Sequence, residues 1–229
     1  MPTGINGIVP SACLRDVARL LQYNRLKTTA TRRMPKVVDH DEQRERLSKC
    51  AAELIARLGL EKTTLRKVAD AYGCTKGMVQ YYFADKEALL YNALLFVTER
   101  YRARARAAAG RLKGLALIES RYTALLPLNM ELHDEWAVRI AFYTRASTTP
   151  AMQKLLSQHY DRDLRAGIKD LQQARKLGEV RANLSNIDAY RTIMSAVGGV
   201  GLTAVMNPTQ LSPQDQLQVL KNVIDSLRA

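Results

Sequence analysis

The sequence predicts an all-α protein: an N-terminal tri-helical helix-turn-helix domain followed by a larger helical ligand-binding and dimerisation domain. Three observations carry the helical expectation. From Asp41 onward, apolar residues recur at steps of three and four, the period of a helix with one buried stripe. Gly59, Gly73, Pro127, Pro150, Gly178, Pro208 and Pro213 interrupt the stripes at intervals of helix length. No stretch alternates as a half-buried strand would, and there is no internal repeat.

Residues 1–36 hold seven basic side chains against one acid, nearly half of the chain's net charge of +13. They contain no apolar block long enough for a secretory signal. Leu14-Arg-Asp-Val-Ala-Arg-Leu-Leu suits two turns of amphipathic helix, and TTATRRMP after it reads as coil. Two readings stand for this basic extension: a flexible arm, or a stretch ahead of a native start at Met34.

A first helix is expected from Asp41, with Asp39 and Glu42 as a capping box. Its stripe is Leu47, Cys50, Ala51, Leu54, Ile55 and Leu58, and Gly59 ends it. Thr64 caps a second, shorter helix that turns Leu65, Val68, Ala69 and Tyr72 inward and stops at Gly73. Thr75 caps a third, which runs to about Phe83. Asp85 caps a fourth, where Leu89, Leu90, Ala93, Leu94, Val97 and Tyr101 continue the stripe. The break between helices two and three has the length of a helix-turn-helix turn. Further helices are expected near 113–130, 134–147, 151–177, 187–206 and 213–228.

The third helix sets lysine, glutamine and tyrosines side by side in CTKGMVQYYF. With Val79 and Phe83 facing inward, Lys76, Gln80 and Tyr81 lie on the other side, a pattern suited to the major groove of DNA. Lys76 can reach guanine acceptors or phosphate, Gln80 can pair with adenine, and Met78 can touch a thymine methyl. Gly77 permits close approach, and the hydroxyls of Tyr81 and Tyr82 suit phosphate oxygens. Lys86 is expected to add a phosphate anchor at the next helix start, with Thr64 and Arg66 beside the other flanking backbone and Thr75 at the head of the reading helix. The residues alone also leave open a basic protein-interaction helix or an RNA-binding face.

The segment TTLRKVADAYGCTKGMVQYYFADKEALL, residues 63–90, resembles the DNA-binding signature of the TetR family of bacterial transcriptional regulators. Thr64, Ala69, Gly73, Thr75, Tyr82, Phe83, Lys86, Leu89 and Leu90 carry the likeness. Cys74, Gln80 and Ala84 depart from the commoner Val, Tyr and Pro. The form GMVQYYF is similar to a subgroup with choline- and betaine-responsive members. The resemblance implies a cytoplasmic, ligand-responsive repressor that binds double-stranded, pseudo-palindromic operator DNA as a homodimer. It also implies a domain of residues 37–84 that binds DNA and one of residues 85–229 that regulates and dimerises. An activator of the same fold is the alternative within the family.

Within the second domain, Ile187, Tyr190, Met194, Val197, Gly201, Leu202 and Val205 form one stripe and Leu217, Leu220, Ile224 and Leu227 another, which are expected to build the dimer interface. Packing within one subunit would explain the same stripes. Gly198 and Gly199 beside Gly201 suit a close helix approach. Trp136, Ile140 and Tyr143 share a face, and Phe96, Tyr122, Met130 and Phe142 are expected to line the same interior as an effector site. With Glu131, Asp134 and Glu135 nearby, that interior suits an amphipathic or cationic effector, although ordinary core packing accounts for each residue singly.

Composition narrows the rest. A net charge of +13 attracts polyanions. Cys13, Cys50 and Cys74 lack paired spacing, and His40, His133 and His159 are scattered, so neither a disulfide framework nor a metal site is expected, and no cofactor. Cys74, next to a helix start, is a candidate redox thiol. The longest apolar stretch, residues 193–206, is shorter than the roughly 20 residues a bilayer requires. A basic helical protein at a membrane surface is the alternative from another class. No phosphate loop, activated nucleophile or paired carboxylate suggests an enzyme.

Overall fold

The computed structural model describes residues 35–229, so the basic extension, its amphipathic stretch, Met34 and Cys13 lie outside the described residues. Nine helices follow one another there: α1 (Pro35–Lys62), α2 (Leu65–Tyr72), α3 (Lys76–Tyr82), α4 (Lys86–Ala109), α5 (Gly114–Thr123), α6 (Met130–Ala146), α7 (Pro150–Lys176), α8 (Asn186–Met206) and α9 (Pro213–Ser226). Extended pairing among the described residues is limited to an isolated antiparallel bridge between Val180 and Arg228.

Caps set most of these boundaries. Thr64, Thr75, Asp85, Asn129, Ser185 and Ser212 each accept a hydrogen bond from a backbone N–H of the helix they precede. Each satisfies a donor that the first helical turn leaves without a partner. Gly73 closes α2 in the left-handed region at φ +77 and donates to the Ala69 carbonyl. Three expectations shift. Helix α1 begins at Pro35, upstream of the expected cap at Asp39, and Gly59 breaks it at φ +78, with one more turn resuming over residues 60–62. Helix α5 stops at Thr123 instead of near 130. The next starts at Met130, because Asn129 caps it.

Residues 41–229 form one compact unit with two apolar cores. The first joins Leu47, Ala51, Leu54 and Ile55 of α1 to Val68, Ala69, Val79, Phe83 and the buried face of α4, and Val138 and Phe142 of α6 complete it. The second is built from α5, α7, α8 and α9 around Trp136 of α6. Helix α6 therefore supplies both cores, and α4 lies against both α5 and α6. Leu58, expected on the buried stripe of α1, is exposed beside the break at Gly59.

The stripes on α8 and α9 turn mostly inward, which corrects the expected dimer interface. Tyr190, Val197, Gly201, Leu220 and Ile224 are buried in the chain's own second core, and Met194 and Val205 are half-buried against it. Leu227 is buried there as well. Leu202 and Leu217 remain outside, 45% and 40% exposed, with Met206 at 75%. A stripe of period 3.6 marks the face a helix buries first, and here its own subunit buries it. Gly201 serves the same internal packing, since a Cβ there would overlap the Trp136 indole, whereas one on Gly199 would meet nothing within 4 Å.

Gly201→Ala is expected to lower stability by about 1–3 kcal/mol through overpacking. Gly199→Ala should remain within about 1 kcal/mol of wild type, the helix propensity difference between the two residues. Urea unfolding of both variants checks the contrast, which fails if the two behave alike.

Candidate functional site

Two features stand apart from plain structural packing. The first is the outer face of α2 and α3. Val79 and Phe83 root α3 in the first core, and the Arg44 guanidinium lies over the Phe83 ring at 5.3 Å. Lys76, Gly77 and Gln80 are exposed, as is Tyr81 at 72%. Met78 and Tyr82 are half-buried beside them, and the Tyr81 and Tyr82 rings meet edge-on at 5.1 Å. A Cβ on Gly77 would meet only the Thr75 hydroxyl, 3.8 Å away, so its missing side chain leaves open backbone on the outer surface. Thr64 and Thr75 are engaged as caps, accepting from the Lys67 and Met78 amides at 3.2 and 3.1 Å. Arg66 is exposed near the start of α2. Lys86 is half-buried, and its ammonium donates to the Glu61 carbonyl at 2.8 Å with the Glu61 carboxylate 3.7 Å off. It ties the start of α4 to the end of α1, a role its place in the sequence did not reveal.

The second feature is a cavity of about 620 Å³, partly open to solvent and lined mainly by α4, α6, α7 and α8. Tyr101, Trp136, Tyr143, Tyr160 and Tyr190 give it aromatic walls, and Arg139, His159 and Asp163 bring charge or titratable nitrogen. The Arg139 guanidinium lies 5.8 Å from the Trp136 ring centre and 5.9 Å from that of Tyr101. The Trp136 indole donates to the Leu125 carbonyl at 2.6 Å. Asp163 accepts from Arg102 at 2.9 Å. Burial, aided by the Asp163 charge, pushes the Tyr101 phenol up to about 12, and burial also raises Tyr143 and Tyr190. Burial and the nearby Arg102 cation hold His159 below its usual range. Burial also draws the Arg139 pKa down, against the opposing pull of Glu135.

Residues 49–92 match the family described as bacterial regulatory proteins, tetR family. Residues 115–229 match the BetI-type transcriptional repressor C-terminal domain, half of the chain. The chain belongs to the TetR family. Among curated relatives, it is 24% identical over 195 residues to the HTH-type transcriptional regulator PksA of Bacillus subtilis (strain 168), covering 85% of this chain and 94% of that protein. A TetR transcription regulator from Haloarcula marismortui ATCC 43049 shares its fold with a TM-score of 0.72 at 17% identity, over 82% of this chain and 100% of that one. So does a protein of Saccharomonospora viridis assigned as a transcriptional regulator and solved in complex with choline, with a TM-score of 0.72 at 22% identity, over 81% and 96%. This TetR-family chain is accordingly a transcriptional regulator with a helix-turn-helix, from a family of DNA-binding proteins that are not enzymes.

In this TetR-family regulator the expected effector residues separate. Trp136 and Tyr143 line the aromatic cavity. Phe96 lies instead in another cleft, with Glu131, Asp134 and Glu135, where Arg100 covers its ring at 5.5 Å. Tyr122 is buried in the second core and borders a smaller cleft of about 270 Å³. Ile140 packs half-buried against that core, Phe142 is buried in the first, and Met130, first residue of α6, is 72% exposed. Spacing along α6 finds a shared face but cannot say which helix covers it, and Met130 lies a turn before that face is covered. Two of the three carboxylates are already committed: Glu131 pairs with Arg100, and Glu135 accepts two bonds from Arg104 at 2.8 and 2.6 Å. Sequence reasoning missed Tyr101, Arg139, Tyr160 and Asp163 as cavity residues and took Tyr190 for an interface. A His-Tyr-x-x-Asp run at 159–163, placed on one turn of α7, was the available signal. Burial raises the Cys74 thiol, whereas the candidate redox role would need it lowered.

The low pKa of His159 sets a pH dependence. The unfolded chain takes up a proton near pH 6.5 that the folded imidazole refuses. The stability contributed is complete above about pH 6.5 and declines as pH falls through that value. Thermal unfolding of wild type and His159→Gln between pH 7.5 and 5.5 checks this: wild type should lose more stability on acidification than the variant.

Proposed function

We propose that this TetR-family regulator is a ligand-responsive repressor, binding a pseudo-palindromic operator as a homodimer through the outer face of α3. The observation that carries the reading is the division of α3 itself. Val79 and Phe83 are committed to the core while Lys76, Gly77, Gln80 and Tyr81 are turned outward, so the exposed chemistry is not needed for folding. Lys76 and Gln80 read base edges, Met78 contributes an apolar contact, and Tyr81, Tyr82, Thr64, Thr75, Arg66 and Lys86 contact the flanking backbones. Residues 37–84 form the DNA-reading domain and residues 85–229 the regulatory one, with α4 and α6 serving both. No described helix is long and apolar enough to cross a membrane.

The dimer forms across the outer face of α8 and α9. Leu202, Met206 and Leu217 are exposed there, with Gly199 open beside them. Four such helices from two subunits make an interface of the kind that buries apolar seams between antiparallel helices.

The aromatic cavity takes a small amphipathic effector. Its size lies within the range of small-molecule sites, about 300–1,000 Å³. A cationic effector is the second reading, favoured by the aromatic walls and by the choline held by the Saccharomonospora viridis neighbour. The effector acts through α6, which faces the cavity with Trp136, Arg139 and Tyr143 and the DNA-reading core with Val138 and Phe142. Release requires that the effector prefer one arrangement of the two reading heads over the other.

Selection of bound duplexes from a random pool should return an inverted repeat, and a metabolite panel should then dissolve that complex. Recovery of no preferred sequence defeats the proposal. With the selected duplex, Gln80→Ala should relax preference at one base pair at a cost of about 1–3 kcal/mol, whereas Lys86→Ala should weaken all duplexes alike and reduce the salt slope by about one unit. A Lys86→Ala salt titration superimposable on wild type would remove that residue from the interface. Leu202→Glu with Leu217→Glu should yield monomers in sedimentation while the helical circular dichroism is retained; a persisting dimer would place the interface elsewhere.

A further inference from the structure

We propose that the effector of the aromatic cavity carries an anionic head group, a carboxylate on an apolar body, which Arg139 and Tyr190 bind. The inference rests on the reading of the cavity as an effector site and adds the ligand's charge. Five aromatic walls by themselves suggest a cage for a quaternary ammonium. The cage, however, already contains a cation of its own. Arg139 presents its guanidinium to Trp136 and Tyr101, the two rings it approaches within 6 Å, so an incoming cation would meet like charge in a buried site.

The carboxylate partners are distributed the same way. Asp163, the acid lining the cavity, is already engaged, accepting at 2.9 Å from Arg102, a guanidinium it shares with Glu99. Arg139 is the less compensated group. Its hydrogen bond runs to the Val97 carbonyl at 3.3 Å. Among the described residues its nearest carboxylate is Glu135 at 3.8 Å, beyond hydrogen-bonding range and already held by both nitrogens of Arg104. A planar guanidinium with unused donors is matched to a carboxylate, which it can bind in a bidentate fork. Arg191 also lines the cavity, with the Asp188 carboxylate 3.6 Å from it.

Tyr190 supplies an independent sign of a missing partner. Its side chain is 1% exposed, and its hydroxyl is buried with no hydrogen-bond partner among the described residues. Buried hydroxyls are seldom left so, because the lost hydration is not recovered. The ring is fixed in place: a Cβ on Gly167 would overlap it, so α7 is held close against its face. Tyr190 thus lines the same cavity as Arg139 and also borders the smaller cleft beside it. One ligand oxygen accepting from Tyr190 and another from Arg139 would satisfy both.

Trp136 is the chain's one tryptophan, and it lines the cavity, so its emission reports occupancy directly. The full chain would be titrated at pH 7.5 and constant ionic strength with 4-phenylbutyrate, 4-phenylbutyramide and 3-phenylpropyltrimethylammonium, three probes that share a body and differ in head group. The acid is expected to bind about tenfold or more tighter than the amide, the range of hydrogen bonds to a charged group. That advantage should vanish in Arg139→Gln and shrink several-fold in the nearly isosteric Tyr190→Phe, which carries the test if Arg139→Gln does not fold. Equal binding of acid and amide overturns the proposal, as does silence of Trp136 toward all three probes. Tightest binding by the ammonium also overturns it, and if that ligand releases the selected duplex, the ligand-responsive reading survives while the anionic head group does not.

Discussion

Val138 and Phe142 lie on one face of α6 and Trp136, Arg139 and Tyr143 on another, and the rest of the molecule is organised around that split. The first pair closes the core that roots the helix-turn-helix. The second group walls the cavity and reaches the core of α5, α7, α8 and α9. Protein interiors are packed too densely for one face of a helix to move while the other stays still. A shift of α6 is therefore felt in both cores. Helix α4 reinforces the coupling, since Leu94 belongs to the first core and also borders the cavity. Arg145, near the end of α6, pairs with Glu87 in the first turn of α4 at 2.8 Å.

In the proposed function, this arrangement lets an effector site act on a DNA-reading helix it never touches. The cavity and α3 share no residue, yet Val79 and Phe83 of the reading unit pack in the same core as Phe142. In the proposed mechanism the free energy comes from the difference in effector affinity between two arrangements of α4 and α6, and a few kcal/mol of difference moves the population decisively. Lys86 lies on that route. By donating to the carbonyl of Glu61 it holds the start of α4 to the turn that follows the break at Gly59.

Local chemistry was legible in the sequence and remote contact was not. Thr64, Gly73, Thr75 and Asp85 mark helix ends through hydrogen bonds made within a few residues, so their positions could be read from the chain alone. The outward set of α3 was equally legible, because two buried residues four apart fix which way the others point. Farther along, the period of three and four identified buried faces on α8 and α9 but not what buries them. The stripe with Tyr190 and Gly201 therefore suits either a dimer contact or packing within one subunit, and Tyr160 and Trp136 of the same chain are their neighbours. The cavity was less legible still. Its walls come from four helices separated by long stretches of sequence, and only the fold brings Tyr101 to Tyr190.

The arginines between the two cores add a constraint of their own. Glu135 is 5% exposed and lies within 4 Å of Arg100, Arg104 and Arg139, so one carboxylate serves three guanidiniums. Arg104 takes the bidentate position, and Arg139 settles for aromatic faces and a carbonyl. Burying charge is costly unless the partners are well placed, and loss of one partner leaves the others uncompensated. Arg100 and Arg104 stand on α4, Glu135 and Arg139 on α6. Sliding one helix past the other would lengthen several of these contacts at once, around a carboxylate that is itself buried. Intermediate positions are therefore penalised, and the pair of helices favours discrete arrangements over a continuum, which is what a two-state switch requires. An anion bound at Arg139 would add the missing negative charge to this cluster and so change which arrangement is preferred.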